Sequence, residues 1–135
     1  MLRYATAYFA TAAVFLVLDF VWLSRAASFY RFELGGLLAE RPNLIIAGFF
    51  YALYISGILV LAVLPAERNG SWITALLLGG LLGLVAYGTY DLTNLSTLEG
   101  WSPKVALVDL VWGTLLTAAS SLSGYATIAL VFRGN

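Results

Sequence analysis

The sequence predicts an all-α integral membrane bundle of four transmembrane helices, with an interfacial helical connector after the first. Three observations carry this. Hydrophobic residues make up 61% of the 135 positions and charged residues 10%, with a mean hydropathy of +0.91, a balance that belongs to membrane proteins. Four segments, residues 4–23, 44–64, 72–90 and 105–132, reach the ~20 residues a helix needs to cross a ~30 Å hydrocarbon core. Between them stand turn and helix-start residues. A single four-span domain over residues 1–135 is expected.

The first span follows Arg3 and is trailed by Ala26 and Ala27, which imitates a secretory signal. Its length, and Asp19 and Trp22 inside it, argue against cleavage. In the connector, residues 25–43, Ala26, Tyr30, Leu34, Leu37 and Leu38 fall near helical spacing, whereas Arg25, Ser28, Arg31 and Arg41 are polar. Part of it is therefore expected to lie along the interface as a helix that Gly35-Gly36 interrupts or ends. The second span carries no charge and is expected to end at Pro65, with residues 65–70 as a short polar hairpin. The third has Gly79-x-x-x-Gly83, with Gly88 beyond, as a smooth face for close helix approach, and is expected to end at Asp91. Ser102-Pro103 reads as the start of the fourth, which is long enough to require tilt, projection or a bend, expected near residues 120–124.

Seven basic residues balance seven acidic ones, so charge gives no indication of a nucleic-acid partner. Calling the face of the N-terminus side A, the trace puts Arg3, Arg68 and Arg133 there and Arg25, Arg31, Arg41 and Lys104 on side B. That near-balance leaves the positive-inside rule undecided, with a slight excess pointing side B to the cytoplasm. The chain has no Cys and no His. A disulfide, a thiol nucleophile, a His-ligated haem, a typical zinc site and a Ser-His dyad are thereby excluded as products of this chain, and no cofactor or metal is predicted. Carboxylates, Tyr, Ser/Thr, Lys and Arg are left to carry any chemistry.

Three carboxylates mark the place to look. The first helix reaches Asp19 about one turn before its end, at a depth of roughly 6 Å. The third ends at Asp91 and the fourth brings in Asp109, so all three belong to the side-B half. An ionisable group there costs about 2.5–3.5 kcal/mol even on a lenient insertion scale, so it faces protein or water and has a partner. Lys104 is the obvious cation, although five residues put it about 140° around a helix from Asp109. Arg25 and Arg31 are alternatives for Asp19. Residues 91–101 resemble a cap whose Thr93, Asn94, Thr97 and Glu99 reach back over a polar cavity. Pinning the bundle together is the plainer role for such aspartates.

The stretches Asp19-Phe-Val-Trp22 and Asp109-Leu-Val-Trp112 share D-x-V-W, and the three-residue step puts Asp and Trp on one helix face. Because the helices run oppositely, this is local recurrence rather than a tandem repeat. Trp22 also suits the interfacial belt, whereas the deeper Trp112 needs an acceptor for its N–H. Among the tyrosines, Tyr51 and Tyr54 read as packing residues, and Tyr90, beside Asp91, as a site residue.

The run from Tyr90 to Trp101, then Val108 to Gly113, resembles the pattern Y-D-x-T-N-x-x-T-L-x-x-W followed by D-x-x-W-G of a family of small bacterial membrane proteins, the domain of unknown function twenty-one seventy-seven. The early L-D-x-x-W-L of that family is matched at residues 18–23. The resemblance covers essentially the whole chain. It implies a four-helix, multi-pass protein of the bacterial inner membrane and singles out Asp19, Trp22, Tyr90, Asp91, Thr93, Asn94, Thr97, Trp101, Asp109, Trp112 and Gly113. It implies no activity.

Three functions compete. The first is binding, with or without modification, of a small amphiphilic or lipid-derived ligand. Asp109 and Asp91 are then the acid/base candidates, and Asp19, Trp22, Tyr90, Thr93, Asn94, Thr97, Trp101, Lys104 and Trp112 the ligand-binding ones. A divalent cation on Asp19, Asp91 and Asp109 would suit hard oxygen ligands, but no recognised metal spacing supports it. The second is a small homo-oligomeric transporter with aspartates as coupling groups. The third is an accessory subunit of a membrane enzyme.

Overall fold

The computed structural model describes residues 1–132, so Arg133 lies outside the described residues. Four helices are long and apolar enough to cross a membrane: α1 (Leu2–Leu34), α2 (Leu44–Asn69), α3 (Trp72–Thr97) and α4 (Pro103–Phe132). The all-α four-span architecture is as the sequence predicts. Large apolar side chains cover the outside; Phe20 is 74% exposed, Ile45 85% and Leu107 67%. In water that surface would drive aggregation, and in a bilayer it meets lipid chains at no cost.

Three helices run past their expected ends. The helical part of the connector is continuous with the first span, so α1 is 33 residues long, ~50 Å at 1.5 Å per residue against a ~30 Å core. Gly35 ends it with φ 47° and an N–H bonded to the Arg31 carbonyl, a backbone conformation in which a side chain would be strained. A three-residue 3-10 turn follows at Gly35–Leu37. Pro65 does not end α2. A π-helical turn at Leu59–Val63 precedes it and the helix resumes over Leu64–Asn69; the widened turn accommodates a ring that has no N–H to give to the preceding turn. The expected hairpin over residues 65–70 shrinks to Gly70 and Ser71. Gly70, at φ 64°, caps α2, and the Ser71 hydroxyl accepts the Thr74 N–H to open α3.

α3 likewise continues to Thr97, so most of the expected cap is helix. The hydroxyls of Ser96 and Thr97 are spent on the Thr93 carbonyl, at 2.8 and 2.7 Å. The Ser102 side chain accepts the Val105 N–H, as expected for a helix start with Pro103 at its first position. α4 then runs unbroken through residues 120–124.

The contacts fix an up-and-down order. Arg3 at the start of α1 pairs with Glu67 at the end of α2, 3.0 Å. Glu33 at the end of α1 meets Ser102 and Lys104 at the start of α4, 2.6 and 3.5 Å. α3 and α4 share the largest interface, followed by α1 and α4, which makes α4 the central helix. Small residues bring α3 onto α4. A Cβ added to Gly83 would stand 2.2 Å from the Gly113 carbonyl oxygen, and one added to Gly79 2.7 Å from the Ser121 Cβ. The smooth face of α3 is therefore consumed inside the bundle, at Gly79 and Gly83 but not Gly88. At the level of the second helix, Phe15, Ile58, Val63 and Leu116 form the apolar core.

Candidate functional site

Asp19 lies one turn beyond the buried Phe15 on α1 and is itself only 8% exposed. Its carboxylate accepts two hydrogen bonds from other helices. The Tyr51 hydroxyl donates from α2 at 2.6 Å, and the Trp112 indole N–H from α4 at 3.5 Å. Asp109, half-buried on α4, accepts from the Tyr30 hydroxyl on α1, and that hydroxyl accepts the Trp22 indole N–H at 3.0 Å. The two indoles stack, with centroids 4.4 Å apart and planes 11° from parallel. Thus each D-x-V-W stretch sends its indole N–H toward the other's aspartate, Trp112 directly and Trp22 through Tyr30. Two copies of one motif on antiparallel helices can pair reciprocally in this way about a local two-fold axis.

These groups border a cavity of about 480 Å³, lined by Asp19, Trp22, Tyr30, Arg31, Tyr87, Tyr90, Trp101, Asp109 and Trp112 together with Leu23, Ala27, Leu34, Leu37 and Leu38. The lining thus combines two carboxylates and one guanidinium with aromatic and aliphatic side chains. Tyr87, Tyr90 and Asp109 also line a second, apolar cavity of about 380 Å³ with Phe50, Tyr54 and Ala86. Tyr87 is held against α4 because Gly113 has no side chain; a Cβ there would come within 2.2 Å of the ring. Gly113 thereby places an aromatic wall shared by both cavities.

Asp91 differs from the other two. It is fully buried at 0% exposure, does not line either cavity, and neither oxygen forms a hydrogen bond among the described residues. It is within electrostatic reach of Asp109 and of the Trp101 indole N–H, which also makes no well-formed hydrogen bond. Trp101 in turn packs edge-on against Tyr90, 5.5 Å between centroids. Among the described residues no three acidic side chains form a group that could hold a metal ion.

The model of the family described as "Predicted membrane protein (DUF2177)" matches residues 4–126. The chain belongs to that family. Comparison with curated proteins and with solved structures gave no match. The DUF2177 match spans every residue lining the two cavities as well as Asp91, and that family designation names a membrane protein without an activity.

In this DUF2177 protein the fold brings Asp19, Trp22, Tyr90, Trp101, Asp109 and Trp112 to one cavity. Other expected residues stand apart from it. Thr93 and Thr97 are exposed, and Asn94 is within reach of Tyr90, one turn before it. Lys104 is not the partner of any of the three aspartates. Its ammonium pairs with Glu33, because it points away from Asp109 around α4 while the lengthened α1 carries Glu33 to it. Arg25 forms no ion pair among the described residues, and Arg31 enters the cavity wall instead of pairing with Asp19. The sequence reading names neither Tyr30 nor Tyr87 as a site residue, takes Tyr51 for packing and offers Arg31 only as a partner for Asp19. Tyr30 and Arg31 had a signal, since the polar-apolar alternation after Leu23 already marked a helix that could carry them back to the bundle. Tyr51 had none beyond a hydroxyl in an uncharged span.

Proposed function

We propose that this chain binds an amphiphilic, lipid-derived ligand in the bacterial inner membrane, with the polar end of the ligand at Asp19 and Asp109. The observation that carries the reading is the make-up of the 480 Å³ cavity, whose lining combines the carboxylates and indoles with the aliphatic side chains of Leu23, Leu34, Leu37 and Leu38. Such a combination suits a molecule with one polar and one apolar end. Asp109 is the acid/base candidate, because it borders the cavity and holds a proton-bearing hydroxyl, that of Tyr30, against it. Asp91 acts on Asp109 through charge rather than by touching the ligand. The test is a mass-spectrometric comparison of lipid extracts from cells carrying the unaltered chain, a gene deletion, or Asp109→Asn. A species that changes in the deletion should change the same way in Asp109→Asn; identical profiles in all three would overturn the reading.

A further inference from the structure

The carboxylates near the cavity have no ion-pair partner among the described residues. Lys104 is taken by Glu33, and Arg3 by Glu67. Asp19, Asp91 and Asp109 form no ion pair among the described residues. Asp109 lies within electrostatic reach of both other aspartates. Carboxylates at membrane depth call for a partner, and no ion pair among the described residues supplies a cation to these three. Two features point to where one would sit. Trp22, Trp101, Trp112 and Tyr90 line the same cavity as Asp19 and Asp109, and aromatic rings beside carboxylates are surroundings that attract an organic cation. Asp91 adds a buried carboxylate that makes no well-formed hydrogen bond among the described residues and has the Trp101 indole N–H within reach, beside the cavity-lining Asp109. Among the residues lining the cavity, Arg31 is the one cation; it follows Tyr30 in sequence and is exposed, without an ion pair among the described residues. A guanidinium there suits an anion such as phosphate.

We propose that the ligand head is zwitterionic, with an ammonium seated between Asp109 and the indoles and a phosphate held outside it by Arg31. This rests on the amphiphile reading above and names the head that such a ligand would carry. A phosphoethanolamine-type lipid head and free phosphoethanolamine share this chemistry.

The purified chain in an uncharged maltoside micelle would be titrated with three probes, using native mass spectrometry and Trp fluorescence. These are lysophosphatidylethanolamine, lysophosphatidylglycerol of the same acyl chain, and free phosphoethanolamine. The lysophosphatidylethanolamine is expected to bind about tenfold more tightly than the phosphatidylglycerol analogue, a difference of about 1.4 kcal/mol. Asp109→Asn should erase that preference, and Arg31→Gln should weaken both phospholipids alike while keeping it. If Asp109→Asn does not fold, the probe comparison on the unaltered chain and on Arg31→Gln still decides. Equal binding of the two lipids overturns the ammonium assignment and leaves the amphiphile reading standing. Binding of neither overturns both. Free phosphoethanolamine binding as tightly as its lysolipid keeps the ammonium assignment and overturns the amphiphile reading.

Discussion

Trp22 on α1 and Trp112 on α4 stack with ring centroids 4.4 Å apart, and each indole N–H leads to the aspartate of the other's motif. The contact joins two carboxylate sites into one unit. Tyr51 and Trp112 hold Asp19, Tyr30 holds Asp109, and the stacked rings lock their spacing. Because the donors come from three helices, the hydrogen-bonded pair of carboxylates exists only when α1, α2 and α4 are docked.

The stack should be visible in solution. Near-UV circular dichroism of the purified chain is expected to show a coupled indole signal that disappears in both Trp22→Phe and Trp112→Phe. Survival of the signal in either single variant would mean that the two rings are not packed face to face. Trp112→Phe should also be the more destabilising, since it leaves a nearly buried carboxylate short of a donor, at a cost of about 1–3 kcal/mol.

Tyr30 and Tyr51 offer a cleaner comparison because Phe keeps each ring. Tyr30→Phe removes the donor to Asp109 and the acceptor of Trp22 together, whereas Tyr51→Phe removes one of two donors to Asp19. Each should lower thermal stability in detergent, with Tyr30→Phe the larger by about 1 kcal/mol. Equal losses would show that the Trp22 N–H finds another acceptor.

Close approach of α3 and α4 makes a sharp contrast among glycines. Gly83→Ala would drive a methyl to 2.2 Å from the Gly113 carbonyl, while Gly57→Ala, in α2, would meet nothing within 4 Å. The first should destabilise by about 1–3 kcal/mol or more, and the second should be neutral or stabilising by up to about 1 kcal/mol. Thermal unfolding followed by helical circular dichroism separates them, and a tolerated Gly83→Ala would contradict the packing described.

At the other end of α1, Glu33 serves both Ser102 and Lys104. The Lys104 side chain is 76% exposed, so Lys104→Ala should cost less than about 1 kcal/mol. Glu33→Ala should cost more, because it also leaves the buried Ser102 hydroxyl without its acceptor. The same unfolding assay orders the two; a larger loss for Lys104→Ala would place the weight on the ion pair instead.

The four spans, the absence of Cys and His chemistry, and the pairing of Asp with Trp on one face of two helices were determined by the sequence itself. Each depends on a local sum or a local period: transfer of about 20 apolar residues into lipid, residue types present or missing, and a three-residue step around a helix. Where α1, α2 and α3 end was not local in this sense. Hydropathy falls off at Leu23, Pro65 and Asp91, but a helix goes on while its backbone bonds are satisfied and its side chains find partners, and here it goes on to Leu34, Asn69 and Thr97. The partners of the carboxylates belonged wholly to the tertiary structure. Tyr51 with Asp19, Tyr30 with Asp109, and Trp112 with Asp19 are separated by 32, 79 and 93 residues. Only helix docking brings such pairs within hydrogen-bond reach, and the same docking gave Lys104 to Glu33 and left Asp109 facing the cavity.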